Sequence, residues 1–322
     1  MNARWKAGRS CVRLLKSNDL LELMTPSRKH ALTIDVEDYF HVAAFAQVVR
    51  REAWDSFPSR VVRNTEALLE LLAERQTLAT FFVLGWVAER FPQLVRRIVD
   101  AGHEVGSHSY WHDRIQHQSP AEFRDDLRRS KQVLEEIVNE SITMYRAPTF
   151  SITEKTLWAL DILVEEGFTL DASIFPIRHD RYGIPTAPTQ LHRRNTSAGS
   201  IWEFPPTVTQ IGGYRLPMAG GGYFRIFPWG MTRWGLRRAE RSTDAPMMFY
   251  LHPWEIDPKQ PKIGGISKLS QWRHRANLHR TADRLTLLLK TFRFGRISDV
   301  LPQIAEQARR EDNALTAEAM LP

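Results

Sequence analysis

The sequence predicts an α/β fold with a mostly parallel sheet, and three observations support this prediction. Short apolar runs alternate with segments of helical spacing along most of the 322 residues, as in parallel strands joined by helices. Glycines follow two of the helical segments, at Gly102 and Gly167, where a left-handed helix end is expected. The hydrophobic content of 43 % and the charged content of 25 % are those of an ordinary globular protein.

The predicted elements can be placed in chain order. The predicted strands occupy residues 30–34, 78–84, 103–106, 142–145, 168–170, 247–251 and 293–297. The predicted helices occupy residues 64–75, 86–101, 120–139, 153–166, 285–289 and 300–309. Between 175 and 228 the pattern weakens into proline, glycine and arginine, which indicates long loops and short strands, as in an insertion that covers a substrate.

Two histidines give the first indication of chemistry. His108 and His112 stand four residues apart, just after a short apolar run. In a helical turn this spacing puts both rings on one face, where they can bind one divalent metal ion. A further oxygen ligand would come from the acidic cluster at residues 35–38.

Polar residues at predicted strand ends extend this site. Five of them stand at or just after such an end: Asp35, His108, Arg146, Asp171 and His252. The carboxyl ends of parallel strands in a barrel meet at one edge, where active sites are assembled. We therefore expect these five side chains to form one site.

Several strings in the sequence are similar to those of a known family. The polysaccharide deacetylases, also called the NodB-homology group or carbohydrate esterase family 4, have five ordered motifs. The strings that resemble them are Leu-Thr-Ile-Asp at 32–35, His-Ser-Tyr-Trp-His at 108–112, Arg-Ala-Pro at 146–148, Asp-Ala-Ser-Ile-Phe-Pro at 171–176 and Leu-His at 251–252. Strings at 35–41, 220–225 and 252–255 resemble the branch found in exosortase (PEP-CTERM) exopolysaccharide loci.

The resemblance implies an architecture and an activity. The fold would be a distorted (β/α) barrel of about seven strands over residues 29–255, preceded by a poorly ordered basic extension over 1–28. Residues 256–322 would form a C-terminal extension that packs on the barrel. The activity would be Zn²⁺-dependent removal of acetyl from N-acetylhexosamine residues of an exopolysaccharide or its lipid-linked precursor, with another divalent transition metal as an alternative cofactor.

The resemblance also assigns roles to the residues at the strand ends. His108 and His112 would be metal ligands. Asp35, held ionised by Arg146, would be the general base that activates water. His252 would be the general acid, with Asp171 as the carboxylate that orients it.

The third metal ligand has two candidates, because most members of the family have two adjacent aspartates where this chain has Asp35 and Val36. The ligand is therefore either Glu37 or Asp38. Strand alternation places Glu37 on the same face as Asp35, whereas a bulge or turn after Val36 would favour Asp38. Asp38 is the preferred prediction.

Four residues are expected to contact the substrate. A backbone N–H near Thr149 or Phe150 would complete an oxyanion site. Tyr223 and Trp254 are candidate platforms for sugar rings. Arg225 and Glu255 are weaker candidates for substrate contact.

Composition limits partners and location. The net charge of +7 favours acidic partners, but no run of lysine and arginine is interleaved with aromatic residues as in nucleic-acid modules. A single cysteine, Cys11, excludes an internal disulfide and suits a reducing compartment. No apolar run reaches the ~20 residues of a membrane span. We expect a cytoplasmic protein with an N-acetylated glycan as partner, and leave peripheral contact with the inner membrane open.

Two alternative functions remain at this stage. A metal-independent amidohydrolase acting on a small ureide would have no use for the pair His108 and His112. A non-catalytic glycan-binding module would have no use for Asp35, Arg146 and His252 together. The sequence therefore favours the metal-dependent deacetylase.

Overall fold

The computed structural model describes residues 28–301. The extension predicted for residues 1–28, apart from Arg28, lies outside the described residues. Of the helix predicted over 300–309, residues 300 and 301 are described and are helical, whereas its other residues and the tail lie outside the described residues.

Within residues 28–301 the chain forms eleven strands and nine complete α-helices, and residues 297–301 begin a further helix. The strands are β1 Lys29–Val36, β2 Thr80–Val83, β3 Glu104–Ser107, β4 Met144–Tyr145, β5 Leu170–Asp171, β6 His192–Thr196, β7 Gly199–Glu203, β8 Val208–Ile211, β9 Tyr214–Pro217, β10 Met248–Leu251 and β11 Arg293–Gly295. The helices are α1 Val61–Glu74, α2 Gly85–Arg90, α3 Pro92–Asp100, α4 Pro120–Val138, α5 Trp158–Glu165, α6 Gly221–Ile226, α7 Trp229–Ser242, α8 Lys268–Arg275 and α9 Leu278–Thr291. Short 3-10 helices span Ala43–Phe45, Arg51–Ser56, Ile115–His117, Pro148–Phe150, Glu154–Thr156 and Pro253–Ile256.

Nine strands form one sheet in the order β10-β1-β2-β3-β4-β5-β7-β6, with β11 also paired to β1. The pairs are parallel except for β6 with β7. Strands β8 and β9 form a separate antiparallel pair. The prediction of an α/β fold with a mostly parallel sheet is confirmed. Among the described residues, no pairing between β10 and β6 closes the barrel.

Strand β1 shows how the sheet positions the site. Leu32, Ile34 and Val36 enter the main hydrophobic core. The alternate positions Thr33 and Asp35 are buried too, and they share the other face of the strand because side chains alternate with a period of two. The carboxyl end of β1 therefore carries a buried carboxylate.

The predicted helix over 86–101 is two helices, because Phe91 precedes Pro92. Phe91 has φ −129° and ψ 56°, since a residue before proline is disfavoured in the helical region. Helix α1 also begins earlier than predicted, at Val61 and not at residue 64.

The sequence predicts that residues 220–222 belong to a loop covering the substrate, but in the structure these glycines stand at the start of a helix. Gly220 has φ +133°, and a Cβ atom there would lie 1.8 Å from the carbonyl oxygen of Tyr250. Helix α6 begins at the next residue. These glycines therefore allow the start of α6 to approach β10 closely.

None of the helices within residues 28–301 has both the length and the apolar character that crossing a bilayer would require.

Candidate metal centre and active site

Three side chains converge in a group that can hold a metal ion. Glu37, His108 and His112 each offer a ligand atom, and these atoms lie within 4.8 Å of one another. Glu37 follows β1 and His108 follows β3, and β2 lies between these two strands in the sheet. The parallel sheet thus brings together residues that are far apart in sequence.

Glu37 has one carboxylate oxygen with a hydrogen bond and one without. The Trp254 indole N–H donates to Oε1 at 3.0 Å. Oε2 lies beside Nε2 of His112, but is buried with no hydrogen-bond partner among the described residues. Burial alone would raise the pKa of Glu37, but the neighbouring histidines, His112 foremost, outweigh it and lower that pKa.

His108 is held as a neutral ligand. Its Nδ1 lies 2.9 Å from the carbonyl oxygen of Arg146, so Nδ1 carries the proton and Nε2 keeps a free lone pair. Burial lowers the pKa of His108 to about 4, against the opposing charge of Asp35. Two imidazoles, of which His108 is neutral, and the anionic oxygen of Glu37 beside His112 form a donor set that fits Zn²⁺ or a similar divalent transition ion.

The histidines meet through a loop, and the expected helical turn is absent. Ser109 has φ 70° and His112 has φ 57°, which no α-helix contains. The carboxylate of Asp126 on α4 accepts hydrogen bonds from the backbone N–H groups of Tyr110 at 2.8 Å and Trp111 at 2.9 Å. This loop places the two histidine rings 5.3 Å apart, centroid to centroid.

Asp38, the preferred third ligand in the sequence analysis, does not face the cluster. Its Oδ2 accepts from Ser59 Oγ at 2.7 Å and from the N–H groups of Arg60 and Val61 at 2.7 and 3.1 Å. These last two groups stand at the start of α1, where N–H groups need an acceptor. Asp38 therefore caps α1, and Glu37 takes the position beside the histidines.

Asp35 is paired with Arg146, as predicted. The Asp35 Oδ1 atom accepts from Arg146 Nη1 at 2.5 Å, and the same nitrogen donates to Thr33 Oγ1 at 2.8 Å. Arg146 is fully buried, and its Nε donates to the carbonyl oxygen of Ala172. The guanidinium binds Oδ1 of Asp35, and the other oxygen, Oδ2, faces the site.

His252 lies next to this pair and to the metal cluster. Its Nε2 is 3.8 Å from Asp35 Oδ2 and 3.8 Å from Glu37 Oε1. Its side chain is 18 % exposed, against 2 % for Asp35. Burial would lower the pKa of His252, but the hydrogen bond to Glu255 and the charges of Glu37, Glu255 and Asp35 raise it to about 9. The ring is therefore protonated at neutral pH.

The carboxylate that orients His252 is Glu255. Its Oε1 lies 2.6 Å from His252 Nδ1, and its Oε2 accepts from Arg225 Nε at 2.7 Å. Both Glu255 and Arg225 are buried and bonded to each other, which gives them a positioning role; their contact with substrate stays a prediction. The signal available in the sequence was a glutamate three residues after the histidine, which is the spacing of a capping box.

Asp171, predicted to orient His252, instead contacts residues of the neighbouring strand and loop. It faces Glu203 across the β5–β7 pair and accepts a hydrogen bond from Ser173 Oγ. Asp171 and Glu203 are fully buried, and burial followed by the charge of Asp171 raises the pKa of Glu203 well above its usual range. The raised pKa of Glu203 favours its protonated form beside Asp171. The Ser173 Oγ atom also accepts a hydrogen bond from the N–H of Ala147 at 2.7 Å.

The four candidate substrate contacts have different surroundings. Thr149 is partly buried with φ 58°, and Phe150 has φ 52°. The N–H of Phe150 donates to Ala147 O at 3.1 Å, so it is not free for an oxyanion. Trp254 is only 4 % exposed and offers no open face, which goes against its role as a sugar platform. Tyr223 is partly buried, with its hydroxyl 3.5 Å from that of Tyr182.

A cavity of about 390 Å³ adjoins the cluster at His112. Trp54 and Trp111 line it together with Arg51 and Arg114. Trp54 is only 7 % exposed and the Arg51 guanidinium lies 4.3 Å from the centroid of the Trp111 ring, so the cavity offers cationic groups more than open aromatic faces.

Comparisons with known proteins divide the chain into two matched segments. Residues 52–164 match the family model "Polysaccharide deacetylase", and residues 172–302 match a domain of unknown function, DUF3473. His108, His112 and Arg146 lie in the first segment, whereas His252 and Glu255 lie in the second. The candidate site therefore draws on both.

Curated relatives match part of the chain. A peptidoglycan-N-acetylglucosamine deacetylase from Bacillus cereus is 33 % identical over 98 residues, which are 30 % of this chain and 36 % of the relative. A peptidoglycan deacetylase from Helicobacter pylori is 32 % identical over 107 residues, 33 % of this chain and 36 % of the relative. A chitooligosaccharide deacetylase from Bradyrhizobium is 28 % identical over 99 residues, 31 % of this chain and 43 % of the relative. The chain thus spans less than half the length of these relatives.

A solved structure shows the fold over a larger part of the chain. A Mycobacterium smegmatis protein, whose crystal structure is assigned to the polysaccharide deacetylases, superposes with a TM-score of 0.56 and 19 % identity. The superposition covers 88 % of this chain and 90 % of that one. This similarity shows the fold, and residues 52–164 match the polysaccharide deacetylase model over about a third of the chain.

Proposed function

We propose that the protein is a metal-dependent N-deacetylase that hydrolyses the acetamido group of N-acetylhexosamine residues in an exopolysaccharide or its lipid-linked precursor. The observation that carries the proposal is the convergence of three units at the strand ends. These units are the Glu37/His108/His112 cluster, the Asp35–Arg146 pair and the His252–Glu255 pair. Together they supply what hydrolysis of an amide needs.

The cluster is the proposed metal centre, with Glu37, His108 and His112 as its ligands. A divalent ion there would polarise the amide carbonyl and lower the pKa of water. The neutral state of His108 and the buried oxygen of Glu37 beside His112 support this assignment.

Asp35 is the proposed general base. Its Oδ1 is bonded to Arg146, which leaves Oδ2 to accept the proton of the attacking water. The water oxygen then forms a bond to the carbonyl carbon. Because Arg146 is fixed by Thr33 and by the Ala172 carbonyl, the carboxylate has little freedom to turn away.

His252 is the proposed general acid. It carries a proton at neutral pH, and its Nε2 is the ring nitrogen that faces Asp35 and Glu37. Donation of this proton to the amide nitrogen lets the C–N bond break, so that the products are acetate and a free amine. Glu255 accepts the Nδ1 proton and thereby sets which nitrogen faces the substrate.

The substrate class rests on resemblance. The relatives are named as deacetylases of peptidoglycan and of chitooligosaccharide, which supports an N-acetylated sugar. The strings at 35–41, 220–225 and 252–255 resemble the exopolysaccharide-associated branch.

The test is acetate release from a panel of N-acetylated glycans, comprising chitooligosaccharides, peptidoglycan fragments, N-acetylated exopolysaccharide and lipid-linked N-acetylhexosamine. We expect acetate and amine in equal amounts, loss of both after chelation, and recovery with Zn²⁺. His252→Ala should abolish release, whereas the matched control His279→Ala, exposed on α9, should not. Release that survives chelation would favour the metal-independent amidohydrolase. No release from any glycan would contradict the proposal.

A further inference from the structure

Helix α8 exposes two large apolar side chains to solvent. Leu269 is 56 % exposed and Trp272 is 58 % exposed. They stand three residues apart and therefore share one face of the helix. Val48, 40 % exposed, lies beside the turn that leads into α8, because a Cβ on Gly265 would be 3.0 Å from its Cγ1. We call Leu269 and Trp272 the α8 apolar pair.

The segment around this pair carries positive charge only. Residues 258–276 contain five lysines and arginines and no aspartate or glutamate. Lys259, Lys262, Lys268 and Arg273 are exposed, and the described residues offer no acidic partner within ion-pair distance of any of them. Exposed apolar side chains on a helix surrounded by basic ones are typical of a helix that lies on an anionic membrane.

The opposite face of α8 packs on residues that position the active site. The His274 ring stacks on Trp254 with centroids 4.6 Å apart, and Trp254 donates to Glu37. Arg225, which holds Glu255, donates to the carbonyl oxygens of Arg273 and His274 at 3.1 and 2.7 Å. The α8 apolar pair therefore stands about one helix diameter, roughly 10 Å, from the residues around His252.

We propose that the α8 apolar pair and its lysines and arginines dock the protein on an anionic lipid surface. Trp272 would lie at headgroup level, where indole rings are favoured, and Leu269 would enter the acyl boundary. Leu269 favours a membrane over an acidic glycan as the partner. An acidic glycan would be bound by the basic side chains and the Trp272 ring, whereas an exposed leucine gains burial only in the apolar part of a bilayer. Docking would bring the catalytic residues close to substrates held at the bilayer surface.

The test is sedimentation of the full chain with vesicles, and it needs no catalysis. Absence of vesicle binding would not contradict the deacetylase proposal, and absence of acetate release would not contradict the docking proposal. Vesicles of phosphatidylcholine and phosphatidylglycerol are compared with vesicles of phosphatidylcholine alone. We expect binding to the anionic vesicles only, and weaker binding as salt rises.

Variants assign the binding to this surface. Leu269→Ser/Trp272→Ser should weaken binding roughly a hundredfold through lost apolar burial. Lys268→Glu/Arg273→Glu, which keeps the apolar pair, should weaken it at least twentyfold, from about fivefold per charge removed. The control Trp234→Ser/Leu287→Ser removes a 49 % exposed tryptophan from α7 and a 42 % exposed leucine from α9, and should bind as the wild type does.

Three outcomes would overturn the proposal. The first is no binding of the wild type to anionic vesicles, and the second is equal loss in the α8 and control variants. The third is that the α8 variants bind vesicles normally but lose binding to an acidic polysaccharide, which would assign the surface to glycan. Thermal unfolding of each variant checks that it is folded, and either α8 variant alone suffices for the decision.

Discussion

The choice between Glu37 and Asp38 gives the sharpest prediction, because the two adjacent carboxylates have different surroundings. Glu37→Gln keeps an oxygen for the Trp254 indole but removes the anionic ligand beside the two histidines. We expect the affinity for Zn²⁺ to fall by more than the 10–100-fold that is typical for residues outside the ligand set.

Asp38→Asn should instead lower stability and spare the metal. Three donors bond to Oδ2, and the N–H of Tyr39 donates to Oδ1 at 2.9 Å. In its best orientation an asparagine amide keeps the three bonds at the start of α1 and turns its NH₂ toward the Tyr39 N–H. Leaving one buried donor unpaired costs ~1–3 kcal/mol of unfolding free energy.

Two assays separate these effects. Equilibrium dialysis with Zn²⁺ gives the affinity, and urea unfolding of the metal-free proteins gives the stability without a contribution from binding. Loss of metal in Asp38→Asn with retention in Glu37→Gln would refute the assignment. Equal loss of metal in both variants would show that the cluster depends on the whole segment and would refute it equally.

The remaining predictions concern the two histidine functions. Glu255→Gln should move the alkaline limb of the pH–rate profile to lower pH, because the general acid must be protonated and loss of Glu255 lowers the raised pKa of His252, about 9. The matched control Asp171→Asn should leave that limb in place. An equal shift in both variants would contradict the account. His108→Ala should abolish stoichiometric Zn²⁺ binding, measured by elemental analysis after gel filtration, and unchanged metal content would contradict the cluster. His252→Ala should keep the metal and lose deacetylation, and turnover like that of the wild type would exclude it as the acid.

The parts of the site that sequence could predict depend on local patterns. An apolar run that ends in a polar residue placed Asp35 at the end of β1 and His252 after β10. Since parallel strands align their carboxyl ends, this was enough to bring Asp35, Arg146 and His252 together. Strand alternation also pointed to Glu37, and the structure agrees with that argument although the sequence analysis preferred Asp38.

The parts that could not be predicted depend on contacts between distant segments. A spacing of four residues does not distinguish a helical turn from a loop held by Asp126, which comes from the following helix. Asp171 stands at a strand end like the other site residues, but its partner Glu203 arrives from β7, a strand that the sequence analysis did not place. The role of Glu255 was within reach, since its spacing from His252 is local.

The central claim is that one metal ion at Glu37, His108 and His112 supports hydrolysis of an N-acetyl group. The most direct measurement titrates Zn²⁺ into the metal-free protein and follows acetate release from its best N-acetylated glycan. The account predicts a rate that rises from background to a plateau at about one ion per chain, and no rise with His252→Ala at the same metal content. A full rate before any Zn²⁺ is added, or an equal rise with His252→Ala, would contradict it.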